Sequence, residues 1–138
     1  MSAEENKAVV RRMIEEVWND HDFTNFYELV ADDHFDHMAV PEHQRGVAAE
    51  RHVMEWLLSV FSDHRFDIED AAADGDTVAV RGTCSGTHEG ALWDIPPTGE
   101  RFAVQQSHWF RVSGGKVAEH WAVRDDLGLL RLLGVLHS

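Results

Sequence analysis

Three polar residues near the C-terminal end are of the types needed for proton transfer on a carbonyl compound. Asp125 follows one apolar strand pattern, and Gln106 and His108 interrupt the apolar face of the strand before it. A carboxylate among apolar side chains is desolvated, which raises its pKa and its basicity. An amide and an imidazole can donate hydrogen bonds to an oxyanion. Asp125 is therefore the candidate acid/base, and Gln106 and His108 are candidate donors.

The face on which each side chain lies follows from strand alternation around a turn at Gly114-Gly115. Successive side chains of a strand point to opposite sides, and two glycines between apolar runs predict a two-residue hairpin. The predicted cross-strand pairs are Val112 with Val117, His108 with Trp121, Gln106 with Val123, and Val104 with Asp125. In this register Asp125 faces the same apolar cavity as Gln106 and His108.

Aromatic side chains on this face are candidates for binding a substrate. Phe102 and Trp121 share the predicted inward parity. Trp18, near the end of the first predicted helix, is a further candidate, although packing in the core is its alternative role. His120 lies on the opposite parity from Trp121, which predicts a position in solvent or in an interface.

Asp125 also has a purely structural interpretation. Aspartate is favoured at helix N-caps, and a short leucine-rich helix begins at about this position. If Asp125 points inward, Asp126 is the more natural cap. His108 and Gln106 have a structural interpretation too, as core residues whose hydrogen bonds are satisfied.

The composition restricts the class of protein. A chain of 138 residues and 15.7 kDa forms one domain, spanning residues 1–138, that is large enough for a core and a pocket. Its net charge of −13 argues against nucleic acid and anionic membranes as partners, because a phosphate backbone needs a basic surface. The single cysteine, Cys84, excludes an internal disulfide and a thiol zinc site. The polar N-terminus and the lack of a long apolar run predict a cytoplasmic protein.

Helical periodicity dominates the first half of the chain and strand alternation the second. A capping box of Ser2 and Glu5 begins a helix over about residues 3–18, and further helices are predicted near residues 23–29 and 47–62. An extended segment covers residues 30–38, and strands follow from about residue 66, with a turn at 74–76. This order predicts an α+β domain with helices packed on one face of an antiparallel sheet.

Several local motifs occur along these elements. They are Glu16-Val17-Trp18-Asn19, Phe35-Asp36-His37, Asp94-Ile95-Pro96-Pro97-Thr98-Gly99, Gly115-Lys116-Val117-Ala118-Glu119-His120-Trp121 and Asp125-Asp126-Leu127-Gly128-Leu129-Leu130. In this order and over nearly the whole chain they resemble the SnoaL-like polyketide cyclases of the nuclear transport factor 2-like superfamily.

The resemblance implies a cone-shaped, strongly curved antiparallel sheet. Three helices from the N-terminal half would enclose a deep apolar pocket with it, and a short helix would end the chain. The resemblance also implies a cofactor-independent intramolecular aldol condensation of polyketide-derived esters. The family's acid/base is an aspartate near the end of the last strand, which Asp125 matches, and His37 and His108 match its pocket histidines.

Three functions remain open at this point. The first is a cyclase, or a related lyase or isomerase, that acts on an apolar carbonyl compound. The second is a hydrolase or hydratase in which Asp125 activates water for attack on an epoxide or an ester. The third is a domain that binds a small apolar molecule without catalysis.

No metal or cofactor is expected. His34 and His37 are three residues apart on a predicted strand, so they face opposite ways, whereas a catalytic zinc site needs three convergent ligands. We expect a homodimer formed through the outer face of the sheet. The residues assigned to that face are Trp109, Arg111, His120 and Arg124.

Overall fold

The computed structural model describes residues 1–136, in which four α-helices accompany five strands. The elements are α1 (Ala3–Met13) with a π-helical extension (Ile14–Asn19), α2 (Phe26–Leu29), β1 (Val30–Asp36), a 3₁₀ turn (Pro41–His43), α3 (Val47–Val60), β2 (Arg65–Asp74), β3 (Thr77–Thr87), β4 (Arg101–Ser113), β5 (Lys116–Arg124) and α4 (Asp126–Leu132). The predicted α+β class is confirmed.

The first helix begins at the predicted capping box. The Glu5 backbone N–H donates to Ser2 Oγ at 3.1 Å, and the Ser2 backbone N–H donates to Glu5 Oε1 at 3.2 Å. The helix continues to Asn19, but its last six residues are π-helical. Such wide turns are frequent at functional sites, and this one carries the buried ring of Trp18.

The sheet is mixed rather than purely antiparallel, which corrects the sequence-based expectation. The strand order is β1-β5-β4-β3-β2, and β1 runs parallel to β5 while the other neighbours are antiparallel. Antiparallel neighbours can be joined by short hairpins, but β1 and β5 are far apart in the chain, so no hairpin forces them to run in opposite directions. Three irregularities in register interrupt the sheet, and bulges of this kind bend a sheet.

One of these irregularities changes the face on which every later residue of β5 lies. Val112 pairs with Val117 as predicted, but Arg111 pairs with Glu119, so Ala118 is an extra residue in β5. Val117 and Ala118 are both buried. Because side chains alternate with a period of two, one inserted residue exchanges the two faces beyond it.

The resulting cross-strand pairs differ from the predicted ones by one residue in β5. They are His108 with Ala122, Gln106 with Arg124, and Trp109 with Trp121. His120 is consequently buried on the inner face of the sheet, and Trp121 and Val123 are exposed on the outer face. The predicted inward parity of Trp121, Val123 and Asp125 was therefore wrong.

The core lies between the helices and the inner face of the sheet. Its largest fully buried side chains include Phe26, Phe66 and Phe110, which come from α2, β2 and β4. In residues 1–136 no helix is both long and apolar enough to cross a membrane.

The backbones of β2 and β3 approach each other closely at Gly82, beside the core. A Cβ atom at Gly82 would lie 2.0 Å from the backbone oxygen of Asp67, next to the bulge in β2. We expect Gly82→Ala to lower the free energy of unfolding by roughly 2–4 kcal/mol, because backbone must move to admit the methyl group. Urea denaturation measures this change.

The matched control is Gly75→Ala in the turn between β2 and β3. Gly75 has a positive φ of 59° but no atom within 4 Å of an added Cβ. It should cost only about 1–2 kcal/mol, which is the price of a left-handed backbone for an L-residue. Equal losses at the two positions would contradict the close approach at Gly82.

Candidate active site

Four side chains form a hydrogen-bonded chain across the inner ends of β1, β5 and β4. Asp36 Oδ1 lies 3.0 Å from His120 Nδ1, His120 Nε2 lies 2.8 Å from His108 Nδ1, and His108 Nε2 lies 2.8 Å from Gln106 Oε1. Asp36, His108 and His120 are at most 4 % exposed, and Gln106 is half-buried. This hydrogen-bonded chain of side chains therefore begins in the core at Asp36 and reaches toward solvent at Gln106.

Aromatic rings hold the two imidazoles in place. The Trp18 ring centroid lies 4.8 Å from that of His108, and the Phe66 centroid lies 5.0 Å from it, both in edge-on geometry. The imidazoles of His108 and His120 stack with their centroids 5.1 Å apart. These apolar walls exclude water from the chain, which strengthens each hydrogen bond and raises the cost of an unpaired charge.

Asp36 is the negative end of the chain. Burial would raise its pKa, but the hydrogen bonds that it accepts from His120 and from the Met38 backbone N–H outweigh burial and hold the pKa well below the usual range. Glu50 of α3 faces Asp36, and burial together with the Asp36 charge raises the pKa of Glu50 well above its ordinary value. These shifts favour the protonated form of Glu50 and the anionic form of Asp36.

Burial favours the neutral form of three interior histidines, namely His34, His108 and His120. Burial lowers the pKa of His108 well below the usual value, and the neighbouring His120 adds to this effect. Burial also lowers the pKa of His120, against the opposing influence of Asp36. Burial lowers the pKa of His34 to about 4. At neutral pH these three imidazoles are therefore uncharged.

The hydrogen-bonded side chains can accept a further proton at one atom, His108 Nε2. In the neutral state His120 Nδ1–H donates to Asp36, and His108 Nδ1–H donates to His120 Nε2. His108 Nε2 then carries a lone pair, and the amide of Gln106 must turn its NH₂ group toward it, because the atom that lies 2.8 Å from Nε2 is the carbonyl Oε1, which can only accept. Once His108 Nε2 is protonated, the amide carbonyl accepts from it instead. The two amide orientations differ only by a rotation of the side-chain amide.

Asp125 lies outside this chain. It is exposed and forms the N-cap of α4, where its Oδ1 accepts from the Gly128 backbone N–H at 2.8 Å. The predicted inward orientation of Asp125 was wrong, because the extra residue Ala118 reverses the parity of the strand that leads to it. The alternative capping role is the one found, and the acid/base role of Asp125 stays a prediction.

His37 and Trp121 also lie away from the chain. Their rings stack on the outer face of the sheet with centroids 4.6 Å apart and planes 8° from parallel. His37 Nε2 lies 2.7 Å from Glu119 Oε2. Both were expected to face the pocket, and that expectation was wrong: β1 directs His34 and Asp36 inward, and the bulge directs Trp121 outward.

The remaining predicted site residues do face the interior. Gln106 and His108 belong to the hydrogen-bonded chain, Trp18 packs on His108, and Phe102 is buried against Phe61 at a centroid distance of 4.7 Å. Their roles toward a substrate stay predictions.

Three residues of this site, namely Asp36, Glu50 and His120, were not among the site residues predicted from the sequence. Two adjacent buried residues, Val117 and Ala118, interrupt the alternation of β5. That interruption is visible in the sequence as two consecutive apolar residues. It is a weak signal, because alanine is common on either face of a sheet.

Other chemistry in the interior is limited. Within residues 1–136, no three His, Cys, Asp or Glu side chains are arranged to hold a metal ion. Burial raises the pKa of the Cys84 thiol to about 12, so this cysteine stays protonated and is a poor nucleophile. The chain from Asp36 to Gln106 is the group suited to proton transfer.

Comparisons with known proteins place this geometry in a family. The model of the SnoaL-like polyketide cyclases matches residues 8–133. The chain belongs to this family. It is 33% identical over 131 residues to aklanonic acid methyl ester cyclase DnrD of Streptomyces peucetius, which covers 91% of this chain and 88% of that protein. It is 32% identical over 90 residues to nogalonic acid methyl ester cyclase of Streptomyces nogalater, covering 64% and 67%.

Solved structures agree with the fold of this SnoaL-like protein. TsrD from Streptomyces laurentii superposes with a TM-score of 0.88 at 26% identity and covers 99% of both chains. AclR from Streptomyces galilaeus superposes with a TM-score of 0.81 at 30% identity, covering 99% of this chain and 89% of that one. The fold is thus that of the nuclear transport factor 2-like superfamily.

The neutral state of His34 makes stability depend on pH. Its pKa is about 4 in the folded protein and about 6.5 when unfolded, so the unfolded state binds the proton more readily. This contribution to stability is complete above pH 6.5 and is lost as the pH falls toward 4. We expect His34→Gln to reduce the slope of unfolding free energy against pH in that window by about 1.4 kcal/mol per pH unit.

Urea denaturation at a series of pH values measures that slope. His52→Gln on the surface of α3 is the matched control, because His52 is not buried. An unchanged slope in His34→Gln would show that His34 does not stay neutral in the folded protein.

Proposed function

We propose that this SnoaL-like protein is a polyketide cyclase that closes a ring by intramolecular aldol addition, with His108 as the residue that transfers the proton. The observation that carries the proposal is the buried hydrogen-bonded chain from Asp36 to Gln106. Membership in the family supports the reaction class. Relatives named as cyclases of aklanonic acid and nogalonic acid methyl esters suggest a polycyclic, polyketide-derived carbonyl compound as substrate.

The proposed reaction uses His108 twice. Its Nε2 lone pair takes a proton from the carbon next to a carbonyl, and the resulting enolate carbon attacks a second carbonyl of the same molecule. A carbon–carbon bond forms, and the second carbonyl oxygen becomes an alkoxide. The proton on His108 Nε2 then returns to this alkoxide, so the enzyme ends in its starting state.

His120 and Asp36 support the charge that His108 acquires. A protonated His108 is buried, and an isolated buried cation is costly. The hydrogen bond through His120 connects it to the Asp36 carboxylate, which stays ionised. Asp36 also fixes the proton of His120 on Nδ1, which leaves Nε2 to accept from His108. In the proposal both are positioning residues rather than catalytic residues.

Gln106 and Trp18 are the groups that would meet the substrate. Gln106 is the half-buried end of the chain, so its amide is the group that a substrate carbonyl displaces or binds. Trp18 and Phe102 provide apolar surface beside His108 and at the neighbouring end of β4. A flat polycyclic compound could pack against such rings.

Asp125 remains the alternative acid/base. Its family motif supports that role, but its carboxylate would have to release the Gly128 N–H and turn away from α4. Single variants separate the two hypotheses, with aklanonic acid methyl ester and nogalonic acid methyl ester as test substrates.

We expect His108→Asn to lower kcat by about 10²–10⁴-fold with little change in substrate affinity, because the imidazole acts in the transition state. Asp125→Asn should lower activity less than about threefold and change stability little, because asparagine is about as good an N-cap as aspartate and its side-chain oxygen can still accept from the Gly128 N–H. Asp126→Asn, exposed in the first turn of α4, is the control for a charge change nearby. Product formation by liquid chromatography measures all three.

The reverse order of effects would restore Asp125 as the acid/base. Water addition to an epoxide or hydrolysis of an ester, dependent on His108, would support the hydrolase or hydratase alternative instead. Tight binding of both esters with no turnover would support a binding protein without catalysis.

We also propose that two copies associate through the outer face of the sheet. Trp109 and Trp121 are cross-strand neighbours there, and with Thr77 they line a shallow depression of about 270 Å³. Val123 on the same face is 73% exposed. Large exposed aromatic residues are enriched in interfaces. His120 and Arg124 were assigned to this face from the sequence, but His120 is buried, and Arg124 shares its inward parity.

We expect Trp109→Arg to convert a dimer of about 31 kDa, twice the chain mass of 15.7 kDa, into a monomer, because it places a charge in the centre of the apolar surface. Light scattering at micromolar concentration measures the mass. Trp93→Arg is the control, since Trp93 is 72% exposed in a loop outside the sheet. A monomeric wild-type protein would contradict the proposal.

A further inference from the structure

Arg124 is a cation on the inner side of the sheet that has no counter-ion there. It is half-buried and follows the inward parity of His120 and Ala122 at the end of β5. In residues 1–136 its guanidinium makes no side-chain hydrogen bond and no ion pair within 4.0 Å. The other interior charge, Asp36, is already engaged by His120.

The position of Arg124 relative to the hydrogen-bonded chain follows from the register. Arg124 is the direct cross-strand partner of Gln106, and Ala122 is the partner of His108. Directly opposed residues have Cβ atoms about 4.5–5.5 Å apart, and diagonal neighbours are about 7–8 Å apart. Arg124 therefore stands beside the solvent-facing end of the chain and within a side chain's length of His108.

The small side chain of Ala122 separates Arg124 from His120 on this face. Deeper in the core Trp18 and Phe66 cover His108, so a ligand would approach His108 from the side of Arg124. By their register Arg124, Gln106 and His108 therefore belong to the same end of the inner face.

Nearby carboxylates do not supply the missing negative charge. Burial and the Asp36 charge raise the pKa of Glu50 well above its ordinary value and favour its uncharged form, against a smaller opposing influence of Arg124. Asp125 is adjacent in sequence, but it faces the other way and accepts from the Gly128 N–H. A half-buried guanidinium without an anion is costly, and its planar fork of donors matches a carboxylate in a bidentate arrangement.

We propose that Arg124 binds a carboxylate of the substrate, so that the preferred substrates are polycyclic carbonyl compounds with a free acid group. This inference rests on the proposed function, because it assigns the substrate class for the same site. The bound carboxylate would place the carbon to be deprotonated next to His108. The relatives DnrD and the Streptomyces nogalater enzyme are named as cyclases of methyl esters, so a preference for an acid would distinguish this chain from them.

The inference is tested by measuring the binding of two probe compounds that do not react. The probes are anthraquinone-2-carboxylate and its methyl ester, which share one flat ring system and differ in charge. We expect the wild-type protein to bind the acid at least 10-fold more tightly than the ester by calorimetry. Arg124→Gln should reduce acid affinity to that of the ester and leave ester affinity unchanged, and Arg124→Lys should retain part of the preference.

Two further variants make the result specific. Arg111→Gln is the matched control, because Arg111 is bonded to Glu119 on the outer face and its loss should not change either affinity. His108→Asn should keep the preference for the acid even if it abolishes turnover, which separates this inference from the assignment of His108.

The inference is overturned if the wild-type protein shows no preference for the acid, including the case in which it binds neither probe. It is also overturned if Arg124→Gln and Arg111→Gln reduce acid binding equally. If Arg124→Gln does not fold, the result rests on Arg124→Lys, which must weaken acid binding and leave ester binding intact.

Discussion

The extra residue Ala118 in β5 is the constraint on which the site depends. Without it, strict alternation would direct Trp121 and Asp125 inward and His120 and Arg124 outward. The inserted residue leaves Val117 and Ala118 both buried and exchanges the two faces for the rest of the strand. One residue therefore decides that an imidazole lies beside Asp36 and His108 and that the tryptophan lies outside.

The polar interior is tolerated because it is nearly complete in its hydrogen bonds. Asp36 accepts from His120, His120 accepts from His108, and burial raises the pKa of Glu50, which disfavours a second negative charge in the same space. Unpaired buried polar atoms remain at His34 Nδ1 and Glu50 Oε2, which lie 3.7 Å apart, too far for a hydrogen bond. The hydrogen-bonded chain carries one net negative charge, on Asp36. A proton taken up at His108 is balanced by that charge, so no unpaired charge is created in the core.

The two faces of the sheet have different tasks. Charged and aromatic side chains on the outer face pair among themselves, as His37, Glu119 and Arg111 do. The inner face carries the apolar core and, at one end, the polar chain. The same strands β4 and β5 supply both sets of residues, so the register between them couples the outer surface to the site.

Much of the fold could be predicted from the sequence, because its signals are local. The capping box at Ser2 and Glu5, the turn at Gly114-Gly115 and the helical spacing of α3 each depend on neighbours a few residues apart. The motifs that carry the family resemblance are local as well. The pairing of Val112 with Val117 was predicted correctly for that reason.

The site itself was decided by tertiary structure. Asp36 and His120 are 84 residues apart in the chain and meet only because β1 lies parallel to β5, a pairing that no local pattern indicates. The sequence by itself determined that acid, amide and imidazole groups occur near an apolar sheet. Which of them point inward depended on a single bulge, because a strand's period of two turns a shift of one residue into the opposite face.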